Sequence, residues 1–405
     1  MNLCPAPWMH LLTDAEGNVT PCCVWEGEVL GNIATDTIQN IAHSPAVNNI
    51  RKAMMSGEPV SGCKGCDRIE RSGVQRFSQR DRYKSMLGHL MPDDIGSITF
   101  EDGSLKNPFK MELINEQYSN LCNYSCRTCF SLKSSMIAKE NNDKIVIKNS
   151  TATRPEYFKD MLKRSEQASA INIIGGEGML ISEYWQMLDH LIACGRHDDP
   201  SLAIFMCTNG SKLEHQGRSL IEYAKKFMNF TLSISIDAIG ERAELFRNGT
   251  NWPLVERNIR TLIAAGIQPI FCMTVSATNI WHLPDVHKYL IQNELTSPHI
   301  LPTFSILVVL EHLSCQVLPL TFKLEVARKL DDHAKFIGEL TDGNIYAIEA
   351  WRGVKKFMLA EDDSHLMPKF VAYHKDLDDK RGQDTFKVFP ELRRFDTNHL
   401  EGKSC

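Results

Sequence analysis

Short apolar runs alternate with stretches of helical periodicity through the middle of this chain. Six of the runs have the length of strands, and they are residues 110–114, 170–174, 202–206, 230–236, 269–274 and 305–310. This alternation favours an α/β fold built from parallel β/α units, so we predict six parallel strands in this region. In parallel barrels, the functional side chains follow the carboxyl ends of the strands.

The flanking segments carry different patterns. Residues 11–21 predict a hairpin, and residues 36–55 have a helical periodicity that Pro45 interrupts. Helical periodicity returns over residues 322–340 and 345–370. We therefore divide the chain into a small N-terminal domain (1–75), a polar linker (76–107), the β/α region (108–320) and a helical C-terminal extension (321–405).

Composition narrows the class of protein. The chain has 405 residues, 43% hydrophobic and 23% charged, as in an ordinary soluble globular protein. A net charge of −5 without a long basic run gives no sign of a nucleic-acid partner. We find no secretory signal and no apolar stretch of about 18 residues, so we expect a cytoplasmic protein without a membrane segment. In such a chain, 13 cysteines favour metal or redox chemistry over disulfides.

Three cysteines, Cys122, Cys126 and Cys129, follow the first predicted strand in the spacing C-x3-C-x2-C. Thiolates are the usual protein ligands of iron–sulfur clusters. Three ligands leave one of four irons without a protein partner, and an open metal position is a place for chemistry. A three-thiolate zinc loop and three buried cysteines without a metal are the alternatives.

A second cysteine set lies in the N-terminal domain, at Cys4, Cys22, Cys63 and Cys66, and Cys23 is a neighbour that could replace Cys22. A hairpin and a C-x2-C turn can bring four thiols to one metal centre. Four thiolates fit zinc as well as an iron–sulfur cluster, so the spacing leaves both open. A zinc knuckle that stabilises a small domain is the structural alternative.

Polar or flexible residues follow three further predicted strands. Gly175-Gly176-Glu177 follows the second strand, and adjacent glycines permit backbone approaches that side chains would block. Asn209 follows the third strand, and Ser235 and Asp237 stand at the end of the fourth. We expect these residues at the same end of the sheet as the cysteine loop.

The C-x3-C-x2-C loop resembles the signature of the radical S-adenosylmethionine (SAM) superfamily. The resemblance implies a partial (β/α)6 TIM-like barrel in which the three cysteines hold a [4Fe-4S] cluster and SAM chelates the fourth iron. Reductive cleavage of SAM then gives a 5′-deoxyadenosyl radical that abstracts hydrogen from a substrate. One position departs from the family pattern, because the residue before the third cysteine is usually aromatic and here it is Thr128.

The same resemblance implies roles for the strand-end residues. Gly175-Gly176-Glu177 would meet the SAM amino group, and Asn209, Ser235 and Asp237 would face SAM or the substrate. Arg247 would pair with the SAM carboxylate, which suits the geometry of a guanidinium. Cys315, after the sixth strand, is a candidate hydrogen-atom donor, as in peptide-epimerising members of the superfamily. A buried packing cysteine is the alternative for that position.

The N-terminal domain resembles a SPASM or twitch domain through Cys4-Pro5-Ala6-Pro7-Trp8, the Gly17-x4-Cys22 step and the closing Cys63-x2-Cys66. This resemblance implies an auxiliary [4Fe-4S] cluster on Cys4, Cys22, Cys63 and Cys66. Such domains normally follow the barrel, whereas here the domain precedes it.

Together these features predict a radical SAM enzyme that acts on a peptide or protein residue by cross-linking, epimerisation or oxidation. The resemblance also implies an electron donor of the flavodoxin or ferredoxin type. A small-molecule radical SAM dehydrogenase, of the kind that oxidises sugars, is the first alternative. A non-catalytic, zinc-stabilised binding protein is the alternative from another class.

Overall fold

A three-stranded antiparallel sheet and five α-helices open the chain in the computed structural model, which describes residues 3–143 and 154–396. In chain order they are α1 (Ala6–Met9), β1 (Leu12–Thr13), β2 (Asn18–Thr20), β3 (Gly31–Asn32), α2 (Ile38–Ala42), α3 (Pro45–Met55), α4 (Lys64–Arg71) and α5 (Gln79–Leu87). The antiparallel pairing of β1 with β2 confirms the predicted hairpin. The Asp14 carboxylate holds its turn by accepting from the N–H groups of Glu16 and Asn18.

The helix predicted over residues 36–55 is two helices. Pro45 begins α3, where its missing N–H would be unpaired in any case, and the Ser44 side chain caps the same helix. α5 lies within the segment that we assigned to a linker, yet its Arg80, Tyr83 and Leu87 side chains are buried. This part of the segment therefore packs into the fold.

The central region alternates strands and helices. In chain order its elements are β4 (Leu113–Ile114), β5 (Ser125–Cys126), α6 (Ser135–Glu140), α7 (Pro155–Ser165), β6 (Ala170–Ile173), α8 (Ser182–Ala193), β7 (Ala203–Thr208), β8 (Glu214–His215), β9 (Arg218–Ser219), α9 (Leu220–Lys226), β10 (Phe230–Ser235), α10 (Gly240–Phe246), β11 (Arg247–Asn248), α11 (Trp252–Ala264), β12 (Ile270–Val275), α12 (Leu283–Gln292) and β13 (Thr303–Ile306). Six strands form one parallel sheet, curled into a half-barrel, in the order β13-β12-β10-β7-β6-β4. This confirms the six predicted strands.

The two outermost strands differ in extent from the prediction. β4 keeps only two residues of the predicted 110–114, and β13 begins earlier and ends earlier than the predicted 305–310. The apolar run continues beyond β13 because Val308 is buried next to Gly65 of α4, not because it pairs in the sheet. Val309, in the same apolar run, is 49% exposed, so burial accounts for only part of this pattern.

The two faces of the sheet are packed differently. On β7, Ile204 and Met206 point into the large hydrophobic core that the surrounding helices share. Phe205, which points the other way, packs against the N-terminal region with Leu113 and Ala170. The N-terminal region thus covers part of the concave face of the half-barrel.

The C-terminal extension consists of α13 (Leu320–Leu340), α14 (Ile345–Ala360), α15 (Met367–Arg381) and α16 (Thr385–Val388). The single helix predicted over residues 345–370 is wrong: α14 ends at Ala360, and Asp363 in the break pairs with Arg68 of α4. Pro368 lies in the first turn of α15, where proline is tolerated. Across the described parts of the chain, we find no helix with the length and apolar character needed to span a bilayer.

Candidate active site and cysteine pockets

The cysteine loop is fixed by a short antiparallel pairing at the carboxyl end of the sheet. β5 pairs with β11 so that Cys126 lies opposite Arg247. The Arg127 N–H extends this pairing by donating to the Phe246 carbonyl at 2.9 Å. The loop and Arg247 are therefore positioned together, although they are far apart in the sequence.

A cavity of about 240 Å³ lies between this loop and the strand ends. Most of the predicted site residues line it, namely Cys122, Cys126, Cys129, Gly175, Gly176, Glu177, Asn209, Ser235 and Arg247. The fold therefore brings the cysteine loop and the residues after β6, β7 and β10 to one place, as the strand-end argument predicted.

The two glycines are required by close packing against the start of the cysteine loop. A Cβ atom on Gly176 would lie 2.2 Å from the Leu121 carbonyl oxygen, which leaves no room for a side chain. Gly175 has φ +121°, a conformation that side chains disfavour. The Glu177 N–H donates to the same Leu121 carbonyl at 2.8 Å. This motif thus sets the position of the loop.

Glu177 is buried, and its carboxylate ties β6 to β7. It accepts hydrogen bonds from the Thr208 hydroxyl at 2.6 Å and from the Asn209 N–H at 2.7 Å. Burial raises the pKa of this carboxyl, and these hydrogen bonds oppose the shift. The Asn209 amide in turn donates to Asn123 in the cysteine loop at 2.8 Å. Contact of Glu177 with the SAM amino group stays a prediction.

Arg247 and Asp237 form a buried ion pair. Arg247 Nη1 donates to Asp237 Oδ2 at 2.7 Å, and Asp237 Oδ1 accepts from the Thr274 N–H at 2.6 Å. Asp237 is fully buried and orients Arg247 from behind, so it does not line the cavity as we expected. Arg247 Nε has no partner among the residues that the structure describes. One donor of its guanidinium is therefore available to a ligand.

Burial shapes the chemistry of the loop thiols. It raises the pKa of Cys122 to about 11 and that of Cys129 to about 12. Burial also raises the pKa of Cys126, and the nearby charge of Arg247 acts in the opposite direction. A bound metal reverses this preference, because thiol ligands are deprotonated.

The N-terminal cysteines lie together in a second region, called here the N-terminal pocket. The pKa of Cys4 is raised to about 12 by burial and by the charges of Cys66 and Cys63. Burial and the charges of Cys23, Cys4 and Cys66 raise the pKa of Cys22. Cys22 and Cys63 pack against the same cluster of buried residues that contains Cys4, so these thiols of the predicted set lie in one region.

Neither set is arranged as a site for one ion. Within residues 3–143 and 154–396, no three His, Cys, Asp or Glu side chains are close enough to hold a single metal ion. In a cubane cluster each thiolate binds a different iron, so the sulfurs stand further apart than the ligands of one ion.

Donors around the N-terminal pocket fit an anionic, sulfur-rich group. The N–H groups of Gln79 and Arg80, at the start of α5, oppose the rise that burial causes in the pKa of the Cys66 thiol. Arg80 Nε and the Tyr83 hydroxyl are buried and have no partner in the described chain. Buried donors normally have acceptors, so a group held by these cysteines would supply acceptors for both atoms. Cluster sulfurs accept such bonds.

Two residues of the site region were missed by sequence reasoning. Cys207 lines the cavity, with its Sγ 3.4 Å from the Ser235 Oγ. Its position at the end of β7, one residue before a buried Thr208, is the signal that could have found it. Arg127 is fully buried and donates to Asp378 of α15 and, at 2.8 Å, to Gln383. That contact joins residues 251 apart and has no local signal.

Cys315 does not reach the cavity. It lies in a short helical turn after β13, is fully buried, and belongs to the hydrophobic core. The turn directs it towards the helices that cover the sheet, which matches the packing alternative given above. Its role as a hydrogen-atom donor stays a prediction.

Comparisons with known proteins agree with this geometry. Residues 4–67 match the family model of the SPASM iron-sulfur cluster-binding domain, and residues 117–290 match that of the radical SAM superfamily. No curated protein matches the chain.

Several solved structures are similar to this chain. One described as native anSMEcpe with bound AdoMet is 21% identical over 45% of this chain and 49% of its own, with a TM-score of 0.35. Another, anSMEcpe with AdoMet and the Cp18Cys peptide, is 17% identical over 57% of this chain and 61% of its own (TM-score 0.41). Streptococcus suis SuiB is 13% identical over 62% of this chain and 54% of its own (TM-score 0.32). The chain thus spans about half the length of the first of these structures.

A parallel half-barrel with a three-cysteine loop at its strand ends, preceded by a second cysteine domain, defines an iron–sulfur enzyme that binds SAM. The chain belongs to the radical SAM superfamily and carries its SPASM domain at the N-terminal side of the barrel. Its cofactors are SAM, a [4Fe-4S] cluster and an auxiliary iron–sulfur centre. The matched SPASM segment ends before α5, so the Arg80 and Tyr83 donors lie outside it.

Proposed function

We propose that this enzyme abstracts hydrogen from a residue of a peptide or protein substrate, which leads to cross-linking, epimerisation or oxidation. The observation that carries the proposal is the cavity where the cysteine loop, Gly175-Gly176-Glu177 and Arg247 meet. In this proposal Cys122, Cys126 and Cys129 hold the cluster. With cluster and SAM bound, electron transfer cleaves SAM to methionine and a 5′-deoxyadenosyl radical.

Arg247 binds the SAM carboxylate in this proposal. Its guanidinium lines the cavity, Asp237 fixes one side of the fork, and the Nε donor is left for a ligand. A planar fork of donors matches a carboxylate better than a point charge does. Glu177 and Asn209 hold β6, β7 and the cysteine loop in register through their hydrogen bonds, which keeps the cavity in shape.

The concave face of the sheet supports a polar substrate. Its central strands present half-buried hydroxyl and thiol groups, namely Cys207, Ser233, Ser235, Cys272 and Thr274. A closed parallel barrel fills the same positions with branched apolar side chains. Small polar side chains leave room and hydrogen-bonding groups for a substrate such as a peptide side chain.

The N-terminal pocket supplies the second centre of this proposal. Cys4, Cys22, Cys63 and Cys66 provide a full set of thiolates, so the cluster that they hold has no iron left open to a ligand. Such a centre relays electrons or stabilises the domain. A small protein of the flavodoxin or ferredoxin type is the electron donor that this chemistry calls for.

The test begins with iron, sulfide and zinc content after anaerobic reconstitution. We expect about eight irons per chain, the content of two [4Fe-4S] clusters. Dithionite and SAM should then give 5′-deoxyadenosine, and flavodoxin with its reductase should replace dithionite. Zinc without iron, and no 5′-deoxyadenosine, would leave a zinc-stabilised binding protein in place of the enzyme.

The substrate class needs a separate measurement. Peptides incubated with the active enzyme should lose hydrogen or take up deuterium from the solvent, as seen by mass spectrometry, together with increased 5′-deoxyadenosine. A response to sugars and none to peptides would replace our proposal with the small-molecule dehydrogenase.

A further inference from the structure

A groove of about 640 Å³ runs between residues 71–76, at the C-terminal end of α4, and one face of α14. The α14 side of the groove is formed by residues that recur every three or four positions from Glu349 to Ala360. At 1.5 Å per residue this stretch of helix is about 16 Å long. An extended peptide of about five residues has the same length. The groove therefore has the dimensions of a short peptide segment.

The groove is strongly cationic. Its lining includes five basic side chains and one acidic side chain, Glu349; the basic ones are Arg71, Arg76, Arg352, Lys355 and Lys356. Glu349 is paired with Arg352, and Lys355 is paired with Asp331. In the described parts of the chain, Arg71, Arg76 and Lys356 have no carboxylate partner. Because the whole chain has a net charge of −5, this concentration of positive charge is local.

Helix ends do not account for this charge. α4 and α14 both end at the groove, and each helix C-terminus carries about half a negative charge, which basic side chains commonly offset. Two such ends and Asp331 amount to about two negative charges, so the lining keeps a net positive charge. Arg76 and Lys356 each donate to one carbonyl, of Tyr346 and Gly73 respectively, and keep further N–H donors free for an anion.

Apolar side chains border the same groove. Leu359, in the lining, is 38% exposed, and Tyr346, whose carbonyl accepts from Arg76 of the lining, is 72% exposed. Exposed apolar groups beside unpaired cations suit a peptide that carries both carboxylates and an apolar residue. A purely ionic ligand would gain no binding energy from these apolar side chains.

The groove also adjoins the half-barrel. Phe77, directly after the 71–76 wall, packs edge-on against Phe304 of β13, with ring centroids 5.9 Å apart. β13 is an edge strand of the parallel sheet. A peptide held in the groove therefore lies near β13.

We propose that the groove binds an acidic segment of the peptide substrate, about five residues long, outside the residues that react. This inference rests on the proposed function, since it assigns the substrate class to the same enzyme. It gives the described part of the chain a surface for peptide recognition.

The test uses a fluorescein-labelled peptide with five consecutive glutamates followed by leucine, and fluorescence anisotropy with the full-length protein. We expect binding that weakens as salt rises, since exposed charges are screened. Replacing the glutamates by glutamines should weaken binding at least tenfold. In the protein, Arg71→Gln combined with Lys356→Gln should weaken binding about tenfold, as expected for two exposed charge pairs.

A matched control is Lys159→Gln combined with Lys335→Gln, since these lysines are 70% and 80% exposed on other helices and lie outside the groove. It should bind the peptide as the parent does. Equal loss in both double variants, or equal binding of the glutamine peptide, would overturn the proposal. So would flavodoxin binding that needs Arg71 and Lys356 while the peptide does not bind. Formation of 5′-deoxyadenosine is measured separately, so failure of the proposed enzyme chemistry remains distinguishable.

Discussion

The two cysteine pockets are built for different tasks. The loop thiols line an open cavity together with the charged Arg247 and the polar ends of three strands. The N-terminal thiols are more enclosed: Cys4 and Cys66 are buried, and α5 adds donors that face them. Three thiols beside a cavity leave space for a ligand, whereas a set of four thiols, two of them buried, leaves no iron of a cubane without a protein ligand. Access, more than the kind of ligand atom, separates the two sites.

The largest effect is expected for Cys126→Ala. Because Cys126 belongs to the pocket with the cavity, we expect loss of about four irons and a fall of 5′-deoxyadenosine to the level without enzyme. Liquid chromatography of the SAM products measures this directly. Cys194→Ala is the matched control, since Cys194 is exposed and should keep both properties. Retained 5′-deoxyadenosine in Cys126→Ala would refute the assignment of the loop.

The complementary change is Cys63→Ala combined with Cys66→Ala. We expect loss of one cluster, about four irons, while SAM cleavage without substrate continues. Iron analysis and 5′-deoxyadenosine formation, measured on the same sample, separate the two pockets. An unchanged iron content would mean that the N-terminal thiols hold no cluster.

The contact between the N-terminal hairpin and the half-barrel should make the stability of the protein depend on pH. Glu116, directly after β4, accepts from the Tyr157 hydroxyl, which also contacts Thr13 of the N-terminal hairpin, both at 2.7 Å. Burial raises the pKa of Glu116 to about 7 from an ordinary value of 4.5. The folded state therefore binds the proton more tightly, and its contribution to stability is complete below pH 4.5 and is lost as the pH rises through 7.

The size of this effect follows from the shift. About 3 kcal/mol of unfolding free energy should be lost between pH 4.5 and pH 8, as measured by urea unfolding. Glu116→Gln should flatten this part of the profile. The same slope in the variant would show that another group is responsible.

Arg247→Lys is a smaller change to the cavity, because it keeps the positive charge and removes only the planar fork of donors. We expect the KM for SAM to rise about tenfold, the size of one charge-assisted hydrogen bond, with iron content unchanged. Arg242→Lys, a change on the neighbouring helix α10 outside the cavity lining, is the control. Equal KM values in the two variants would remove Arg247 from SAM binding.

The smallest expected effect concerns the enclosed pocket. Tyr83→Phe removes only a buried hydroxyl, and the ratio of reduced to oxidised auxiliary cluster at fixed potential should fall about threefold to tenfold. A redox titration followed by electron paramagnetic resonance measures this ratio. Tyr118→Phe is the control, because the Tyr118 hydroxyl is also buried and unpartnered in the described chain but lies in the barrel core. An unchanged potential in Tyr83→Phe would show that its hydroxyl does not reach the cluster.

Local patterns predicted most of the fold. The strands β6, β7, β10 and β12 coincide with short apolar runs, and the rule that functional side chains follow strand ends predicted the place of Glu177 and Asn209 in the cavity. Long-range contacts had no such signal. The pairing of Asp237 with Arg247 and the burial of Cys315 depend on how helices and loops pack over the sheet, and periodicity carries no information about that. The burial of α5 was missed for the same reason. Its sequence is mostly polar, and only one face of the helix is buried.

The Arg127–Asp378 contact can form only late in synthesis of the chain. Asp378 lies 251 residues after Arg127, so at usual rates of synthesis the cysteine loop leaves the ribosome roughly 10 to 50 s before its partner. During that interval the loop lacks the helix that later buries Arg127. The surroundings of the cysteine loop are therefore completed only when the last helices have been made.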